Sequence, residues 1–405
     1  MHQLYERTSL TQKRVAQFGG YIDWISQPSL FKHYPSFLFS YAYGEKEQLR
    51  IIELSRIVTS TQMIAQKPYR KLNTPSAGNL HPIELYVQIR SIKGIISGIY
   101  HIDAGQNRIV LIREIEEEGL EADLGLSYKF EGMIFIASTV PFRSEWKYGE
   151  RAIRYCYLDA GHQIASIQAA ATISDQETTI LSGFDAGALN KAMGFKDEEF
   201  VCAVIALGDE TQKTVTPLAK PLLHVTPTDY CDSMGCLPDF MAKEEVYKSR
   251  VFPVSVTAEV VLKRRSARKF SGSCIQEDDF ERIMQLLGED TYPLECYTVV
   301  LKECSYQTGV YKNGRIIKEG SFIEELIALL VDQHFIKNAQ IITVMTSKEF
   351  GSESLMSAGA FAHKLYLETA AREIGFTGIG AFYDEKMQKF LGTDNYLLYV
   401  CAAGK

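Results

Sequence analysis

Several features that would by themselves indicate a function are missing from this chain. Its eight cysteines form no CxxC pair, and its eight histidines show no ligand spacing such as HExxH, so no metal site is predicted. No GxGxxG dinucleotide fingerprint occurs. A chain of 405 residues does not need disulfide bonds for stability. We therefore expect reduced cysteines, with the neighbouring Cys231 and Cys236 in a reduced loop.

Excess positive charge and long apolar segments are also missing. The net charge is −7, which argues against nucleic acid or an anionic membrane surface as the main partner. No apolar run reaches the length of a membrane span. The polar N-terminus lacks the apolar core of a signal peptide, so we expect a cytoplasmic protein. Hydrophobic residues at 46% and charged residues at 23% are typical of a globular protein.

The most informative segment that is present runs from Lys71 to Tyr86 and reads KLNTPSAGNLHPIELY. Pro75 favours an extended Thr74, and Gly78 allows the backbone to approach a ligand closely. The Leu, Ile, Tyr and Val residues that follow predict a strand over 80–89. A loop of small residues before a strand, with a cation nearby, suits a flat cofactor with polar edges. An ordinary Pro/Gly turn is the alternative for the four residues PSAG alone.

The chain contains one unit twice. The matching segments are Pro82–Val87 with Pro293–Thr298, Ala160-Gly161 with Ala358-Gly359, Phe184 with Phe382, Leu189–Gly194 with Met387–Gly392, and the closing strands 200–208 with 396–404. Long amphipathic helices between well-separated strands predict an α+β fold in each unit, a mixed sheet flanked by helices. Two such units are expected to pack as an intramolecular pseudo-dimer, so the chain itself can be monomeric.

These repeats give an expected domain organisation. We predict an N-terminal arm at 1–45, a first domain at 46–210, a connector at 211–253 and a second domain at 254–405. The connector is predicted from its turn-rich composition, which includes Pro217, Pro221, Pro227 and Pro238.

The second half opens with a basic segment, KRRSARKF, from Lys263 to Phe270. A polar turn and a predicted helix over 277–287 follow it. Such a run is usually a solvated surface. Several guanidinium groups and a hydroxyl near a helix can instead hold a phosphate, and the order Arg-Arg-Ser-x-Arg favours that interpretation.

A longer signature lies between Lys147 and His162. It reads KYGERAIRY over 147–155 and DAGH over 159–162. With Pro75–Gly78, these segments resemble the SagB-type branch of the nitroreductase superfamily, the azoline dehydrogenases of thiazole- and oxazole-modified peptides. The resemblance covers nearly the whole chain except the arm and the connector. It implies an FMN protein whose relatives are normally homodimers.

The resemblance also implies roles for individual residues. Lys147 and Tyr148 would form a catalytic acid–base pair, provided that burial or the nearby Arg151 and Arg154 lower the pKa of Lys147. His162 is expected to support the site by packing. The implied cofactor-binding residues are Arg264, Arg265, Ser266 and Arg268 at the phosphate; Pro75, Ser76, Ala77, Gly78, Asn79 and Arg70 at the ring; Gly378, Ile379 and Gly380 at flavin N5; and Lys405 as a further phosphate contact. Lys71 is the alternative to Arg70, because the spacing to PSAG is one residue longer than in the family.

Each half lacks what the other keeps. Glu289–Pro293 stands where the second half would carry PSAG, and the weakly basic Glu53–Val58 stands where the first half would carry RRSAR. We therefore expect one composite FMN site per chain.

The leading functional hypothesis is oxidation of a peptide-borne thiazoline or oxazoline to the azole, with hydride transfer to the flavin. A peptide-like substrate and a cyclodehydratase are the expected partners. An NAD(P)H-dependent nitro or quinone reductase is the first alternative, and a catalytically silent scaffold in a peptide-modifying complex is the second.

Overall fold

The computed structural model describes residues 2–18, 22, 24–64, 67–228, 252–289 and 291–405. The chain divides into two compact units: a central unit, Asp23–Ser249, and a terminal unit, Met1–Ile22 with Arg250–Lys405. The N-terminal segment thus belongs to the same unit as the second repeat. The domain limits expected from the sequence stay predictions, and Cys231 and Cys236 lie outside the described residues.

Two short helices, α1 (His2–Thr8) and α2 (Gln12–Phe18), come first in the chain. The elements of the central unit are β1 (Ser40–Ala42), α3 (Arg50–Ser55), β2 (Val58–Ile64), β3 (Lys67–Leu72), β4 (Ile83–Arg90), β5 (Gly98–Asp103), β6 (Arg108–Glu114), β7 (Tyr128–Thr139), α4 (Phe142–Tyr148), α5 (Ala152–Ile173), β8 (Thr179–Leu181), α6 (Ala186–Ala192) and β9 (Phe200–Thr214). The remaining elements of the terminal unit are α7 (Ala258–Lys263), α8 (Glu277–Gly288), β10 (Glu295–Val300), β11 (Gly309–Lys312), β12 (Arg315–Glu319), α9 (Ile323–Leu329), β13 (Ile341–Ser347), α10 (Ser352–Ala370), β14 (Gly375–Ile379), α11 (Asp384–Leu391) and β15 (Tyr396–Gly404).

The two main sheets repeat one strand order. The central sheet runs β1-β6-β5-β4-β7-β9-β8, and the terminal sheet runs β12-β11-β10-β13-β15-β14. Without β1, the two orders correspond strand for strand, which bears out the internal repeat. All the described strand pairs are antiparallel, so the expected mixed direction is wrong in that detail. Short links between sequential strands such as β4, β5 and β6 favour antiparallel pairing.

The helices pack on these sheets, as the α+β fold class requires, and that expectation is confirmed. Helix α5 is buried over 152–171 and contacts β4, β7 and β9. Its counterpart α10 contacts β14 and β15. All eight residues of β4 are buried, including the polar Glu84, Gln88 and Arg90. No helix in the described part of the chain is long and apolar enough to span a membrane.

Contacts in the terminal unit explain why the N-terminal helices belong to it. The Tyr5 ring lies 5.0 Å from the Phe350 ring and 4.7 Å from the Tyr396 ring, measured between centroids. The Leu397 N–H donates a 3.3 Å hydrogen bond to the Tyr5 hydroxyl. Helix α1 is therefore anchored to the strand that closes the second repeat.

The expectation of reduced cysteines is wrong at one position. Cys274 and Cys304 form a disulfide with their Cα atoms 6.1 Å apart. Neither cysteine lies in a helix or strand, since Cys274 precedes α8 and Cys304 follows β10. The same two loops are also joined by a hydrogen bond from the Lys302 ammonium to the Gly272 carbonyl. Tertiary packing brings these loops together, and the spacing along the sequence does not reveal it. Cys156, Cys202, Cys296 and Cys401 are buried free thiols.

Buried charges cross the core of the central unit. The Lys32 ammonium lies 2.6 Å from Glu199 Oε2, and both side chains are fully buried. Glu199 Oε1 also accepts hydrogen bonds from Tyr86 at 2.9 Å and from Ser138 at 2.6 Å. The pair joins the segment before β1 to strands β4, β7 and β9.

We expect Lys32→Met to lower the free energy of unfolding by about 3–5 kcal/mol, because it leaves the Glu199 carboxylate buried without its cation. Chemical denaturation measures this loss. The matched control is Lys389→Met, which removes an exposed i,i+4 partner of Glu385 and should leave stability unchanged. The double variant Lys32→Met/Glu199→Gln should recover part of the loss. An equal effect of the buried and exposed substitutions would contradict a structural role for the buried pair.

Candidate functional site

The PSAG loop of the central unit adopts a conformation that depends on glycine. It contains a 3₁₀ turn, Ala77–Asn79, in which Gly78 has φ +63°. Gly78 is exposed, and the small side chains of Ser76 and Ala77 are half-buried. The Asn79 side chain donates a 2.8 Å hydrogen bond to the Arg70 carbonyl, which ties the loop to the end of β3. The loop is therefore open on one side and anchored on the other.

Lys147 and Tyr148 lie against this loop. A Cβ placed on Gly78 would stand 2.5 Å from the Tyr148 hydroxyl and 3.4 Å from Lys147 Nζ. Lys147 Nζ also lies 5.4 Å from the centroids of the Trp24 and Tyr148 rings. Two segments that the sequence analysis singled out separately thus meet at one glycine.

Arg143 links α4, which carries Lys147 and Tyr148, to the segment that follows the loop. It lies one turn before Lys147 on α4, and its guanidinium donates to the His81 carbonyl at 3.0 Å and pairs with Glu84 Oε1 at 2.6 Å. Arg143 and Glu84 are fully buried, and Glu84 also binds His101 at 3.0 Å. Arg143 and the neighbouring cations hold the pKa of Glu84 well below its usual range, although burial opposes the ionised form. The sequence analysis missed both residues, since a lone Arg and a lone Glu carry no motif.

Burial shifts the pKa values of two carboxyl groups in the helices of the central unit. Burial raises the pKa of Asp159, on α5, to about 7, and hydrogen bonds from the Ser76 hydroxyl and the Ala77 N–H partly offset this. Burial and the nearby Glu150 raise the pKa of Glu145, on α4, to about 7. Because the folded-state pKa of Asp159 lies above its unfolded value of about 3.9, ionisation costs stability as pH rises between these two values.

The other expected neighbours of Lys147 take the following places. Arg151 Nε donates a 3.1 Å hydrogen bond to the Tyr155 hydroxyl, and the Tyr155 ring lies 4.7 Å from the Tyr148 ring. Arg154 and His162 are buried in the core of the unit. Of the two candidate cations before PSAG, Arg70 lies 5.8 Å from the Phe31 ring, while Lys71 Nζ lies 6.0 Å from the Tyr69 ring.

In the terminal unit, three of the expected residues lie together with two tyrosines. We call it the Arg264 cluster, and its members are Arg264, Ser266, Tyr366, Gly378 and Tyr399. The Arg264 guanidinium lies 5.1 Å from the Tyr366 ring, and the Tyr366 hydroxyl shares a 2.9 Å hydrogen bond with Ser266. The Gly378 N–H donates to the same hydroxyl at 2.8 Å. A side chain on Gly378 would overlap the Tyr399 hydroxyl.

The charge in this cluster is suited to an anion. Arg264 is only 3% exposed, and burial lowers its pKa to about 10. A buried cation attracts an anion strongly, because the surrounding dielectric is low. Arg265 is half-buried and donates to the Leu262 and Arg264 carbonyls, whereas Arg268 is exposed.

The remaining candidates of the terminal unit are the Gly378–Gly380 segment and Lys405. The N–H of Gly378, one of the donors expected in Gly378–Gly380, donates to the Tyr366 hydroxyl. Lys405 Nζ donates to the Arg372 and Glu373 carbonyls at 3.2 Å, beyond the end of α10. Its carbonyl accepts from the Ser271 N–H, so the chain end is tied to the turn after the basic segment. Tyr366 and Tyr399 were not predicted, because nothing in the sequence links them to the glycines they contact.

Residues of the central unit fit a flavin ring, and residues of the terminal unit fit its phosphate. A loop with small side chains and a left-handed glycine can lie against an aromatic ring. Buried and exposed arginines with a hydroxyl suit a phosphate. The described residues contain no group of three or more His, Cys, Asp or Glu side chains that could hold a metal ion.

Both repeats are similar to one family of known proteins. A profile of the nitroreductase family matches residues 50–209 and 261–405. A nitroreductase-type protein of Methanocaldococcus jannaschii, MJ1384, is 28% identical over 155 residues, 37% of this chain and 76% of that protein. A crystal structure of a nitroreductase-type protein from Anabaena variabilis superposes with a TM-score of 0.84 at 22% identity, over 100% of this chain and 99% of that one, and shows the same fold. A chain of the E. coli microcin synthetase complex McbBCD aligns with a TM-score of 0.32 at 14% identity, over 50% of this chain and 83% of that one, which is too weak to argue from.

We expect Gly78→Ala to disturb the loop more than Gly44→Ala does. Both glycines have left-handed backbones, with φ +63° and +79°, but a Cβ on Gly44 meets nothing within 4 Å. Gly44→Ala therefore adds only backbone strain of about 1 kcal/mol, whereas Gly78→Ala must also displace the Tyr148 hydroxyl. Thermal unfolding of the two variants measures the difference. Equal losses would mean that Tyr148 does not rest on Gly78.

Proposed function

Because the chain belongs to the nitroreductase family, we propose that it is an FMN-dependent oxidoreductase that dehydrogenates a peptide-borne thiazoline or oxazoline to the corresponding azole. The observation that carries this proposal is the meeting of Lys147 and Tyr148 at Gly78. These residues belong to the segments that resemble the SagB-type branch. Their convergence supports the proposal, because an amine and a hydroxyl lie beside the loop that would line the flavin ring.

Each side chain at the loop has a definite task in such a reaction. Aromatisation removes a proton from one ring carbon and a hydride from the next, and a bound flavin supplies the capacity to accept the hydride. Neutral Lys147 Nζ takes the proton, and the Tyr148 hydroxyl donates a hydrogen bond to the ring heteroatom or relays the proton. The ion pair between Arg143 and Glu84 fixes α4 relative to the loop. The amine of Lys147 and the hydroxyl of Tyr148 are therefore positioned before substrate binds.

The two units carry different groups of the proposed FMN-binding set. The Arg264 cluster provides the cationic and hydroxyl groups for the phosphate, and residues 75–79 with Arg70 provide the ring-facing loop. Arg56, at the first-repeat position of the basic segment, is 1% exposed and donates to Gln163 and to the Ile83 carbonyl. Since each unit keeps one part of the set, we propose one flavin per chain.

The alternative activity is NAD(P)H-dependent reduction of nitro compounds or quinones. The descriptions of the relatives favour it, because both are described as nitroreductases. It would use the same flavin-binding groups but would not require Lys147 to act as a base. A cyclodehydratase that forms the azoline remains the predicted partner only under the leading hypothesis.

We expect Arg264→Ala/Arg268→Ala to lose bound FMN. Each charge-assisted hydrogen bond contributes about 1.5–3 kcal/mol, so losing two should weaken FMN binding by roughly 100-fold or more. Flavin content per chain, read from the visible spectrum and protein concentration, should be one in the parent and near zero in the variant. Lys263→Ala is the control, because its exposed ammonium pairs with Glu259 and should leave content unchanged. Full retention in the double variant, or two flavins per parental chain, would refute this assignment.

We expect Lys147→Ala and Tyr148→Phe to keep their flavin but to lower turnover by about 10²–10⁴-fold, the usual range for a lost acid–base group. Turnover is measured by mass spectrometry as loss of two hydrogen atoms from a panel of peptidyl azolines in air. The control variants are Lys93→Ala and Tyr128→Phe, which alter an exposed lysine and tyrosine of the same unit.

Two outcomes would overturn the leading hypothesis. If both variants work at the parental rate, the pair has no catalytic role. If no azoline reacts while anaerobic NADPH rapidly bleaches the flavin and nitroaromatics are reduced, the protein is a reductase of the alternative class.

A further inference from the structure

The outer part of the hairpin that leads into the PSAG loop has no task in the proposed reaction. The hairpin consists of β2 and β3, which pair antiparallel with each other and with no other described strand. Its base packs on the central unit, where Val58 and Leu72 lie in an apolar cluster with Phe31. Farther out, Met63 and Ile64 are 67% and 53% exposed. A two-stranded sheet is marginally stable by itself, so an added strand would stabilise this outer part.

The outer edge of β3 is closed to a further strand. Pro68 has no N–H, so its pair with Met63 cannot be one of the pairs that exchange two hydrogen bonds. Because the two kinds of pair alternate along an antiparallel ladder, the pair of Thr61 with Arg70 also points its backbone groups away from the hairpin. On β3, Pro68 therefore offers no donor, and the Arg70 carbonyl already accepts from the Asn79 side chain at 2.8 Å.

The outer edge of β2 is open. By the same alternation, its outward backbone groups belong to Thr61 and Met63, and no described residue outside the hairpin hydrogen-bonds to either of them. Both residues are exposed, and β2 contains neither a charged residue nor a proline. Proteins usually protect an unpaired edge with a charge or a proline, because the edge can recruit another strand. The protection is present on β3 and missing on β2, which leaves β2 free to pair with an extended peptide.

The charge beside this edge selects an acidic partner. No Asp or Glu occurs between Glu53 and Glu84, although the chain has 50 such residues. The hairpin carries three cations, Lys67, Arg70 and Lys71, and none of them forms an ion pair with a carboxylate in the described part of the chain. Strands of a sheet lie about 4.8 Å apart, so a strand added to β2 would lie about 10 Å from β3. Long lysine and glutamate side chains span that distance, which is also about one Debye length at physiological salt.

We propose that the outer edge of β2 binds an acidic peptide in an extended conformation, as a third strand of the hairpin. Thr61 and Met63 supply backbone groups for the pairing, and Lys67 and Lys71 attract carboxylates of the peptide. The identity of this peptide as a segment of the substrate rests on the proposed function, whereas its binding does not. Because β3 ends three residues before Pro75, the bound segment would hold the reacting ring near the PSAG loop.

The first test measures the charge dependence of binding. The probe is a fluorescent synthetic peptide of about ten residues in which Glu alternates with Thr, and its anisotropy is followed as the full chain is added. Lys67→Glu should weaken binding about tenfold, because an attractive pair becomes a repulsive one. The matched control is Lys93→Glu, the same charge change at an exposed position between β4 and β5, which should bind as the parent does. A peptide with Lys in place of Glu should bind at least tenfold more weakly than the acidic probe.

The second test separates backbone pairing from charge. A peptide of the same sequence with methylated backbone nitrogens keeps every carboxylate but cannot donate to β2, and it should bind at least tenfold more weakly. Thr61→Pro removes one outward N–H from β2 at a position where proline is tolerated, and it should weaken binding of the unmodified probe by a similar factor. Thr61→Val is its control, since it keeps the N–H and should bind as the parent does.

Three results would overturn the proposal. The first is equal affinity of the acidic probe for the parent and Lys67→Glu. The second is equal affinity of the parent for the methylated and unmodified peptides, which would leave charge alone as the cause of binding. The third is a concentration-dependent dimer of the parent, seen by sedimentation, that Thr61→Pro abolishes and Thr61→Val keeps; a second copy of the chain would then cover the edge.

A kinetic measurement distinguishes this inference from the proposed function. A peptidyl azoline joined to the acidic segment should have a KM about tenfold lower than one joined to the basic segment, with the same kcat, and Lys67→Glu should remove the difference. If the acidic probe binds as expected while no azoline is oxidised, the docking edge stands and the proposed function fails. If azolines are oxidised but the acidic segment has no effect on KM, the function stands and the edge does not dock the substrate.

Discussion

The buried ion pair between Arg143 and Glu84 is the interaction on which the candidate site depends. Glu84 opens β4 just after the PSAG loop, and Arg143 lies one turn before Lys147 on α4. The same guanidinium also donates a 3.0 Å hydrogen bond to the His81 carbonyl. Both charges are removed from water, so only close pairing and added hydrogen bonds make the arrangement stable. The ion pair therefore fixes the position of α4 relative to the loop. For this reason Lys147 reaches Gly78.

The two repeats keep one architecture and differ in chemistry. Their sheets share a strand order, and along the chain the long helices α5 and α10 come after the equivalent strands β7 and β13. At the first-repeat position of the basic segment, Arg56 is bound into the core by Gln163 and a carbonyl. In the second repeat, Arg264 lies beside Tyr366 and the hydroxyl of Ser266. Packing preserves the fold in both copies, whereas the polar groups that would contact a cofactor have been retained once each.

Two features of the site, buried carboxyl groups and strained backbone, lower the stability of the fold. Burial raises the pKa of Glu145 and of Asp159 to about 7, so ionising either carboxyl costs the folded state more than the unfolded chain. The positive φ values at Asn79 and His81 add backbone strain in the same loop. Strain and buried charge of this kind concentrate at functional sites, because elsewhere selection for stability removes them.

Local sequence patterns determined much of this protein. The strand predicted over 80–89 is Ile83–Arg90, the helix predicted over 277–287 is Glu277–Gly288, and the closing strand is Tyr396–Gly404 as expected. The repeat and the two candidate segments were likewise visible, since periodicity and turn residues act within a few positions of the chain. Only the tertiary structure decided that Lys147 and Tyr148 meet Gly78, that Tyr366 and Tyr399 contact Gly378, and that Cys274 bonds to Cys304. These contacts join residues far apart in sequence, and they depend on how helices pack onto sheets, about which a local pattern carries no information.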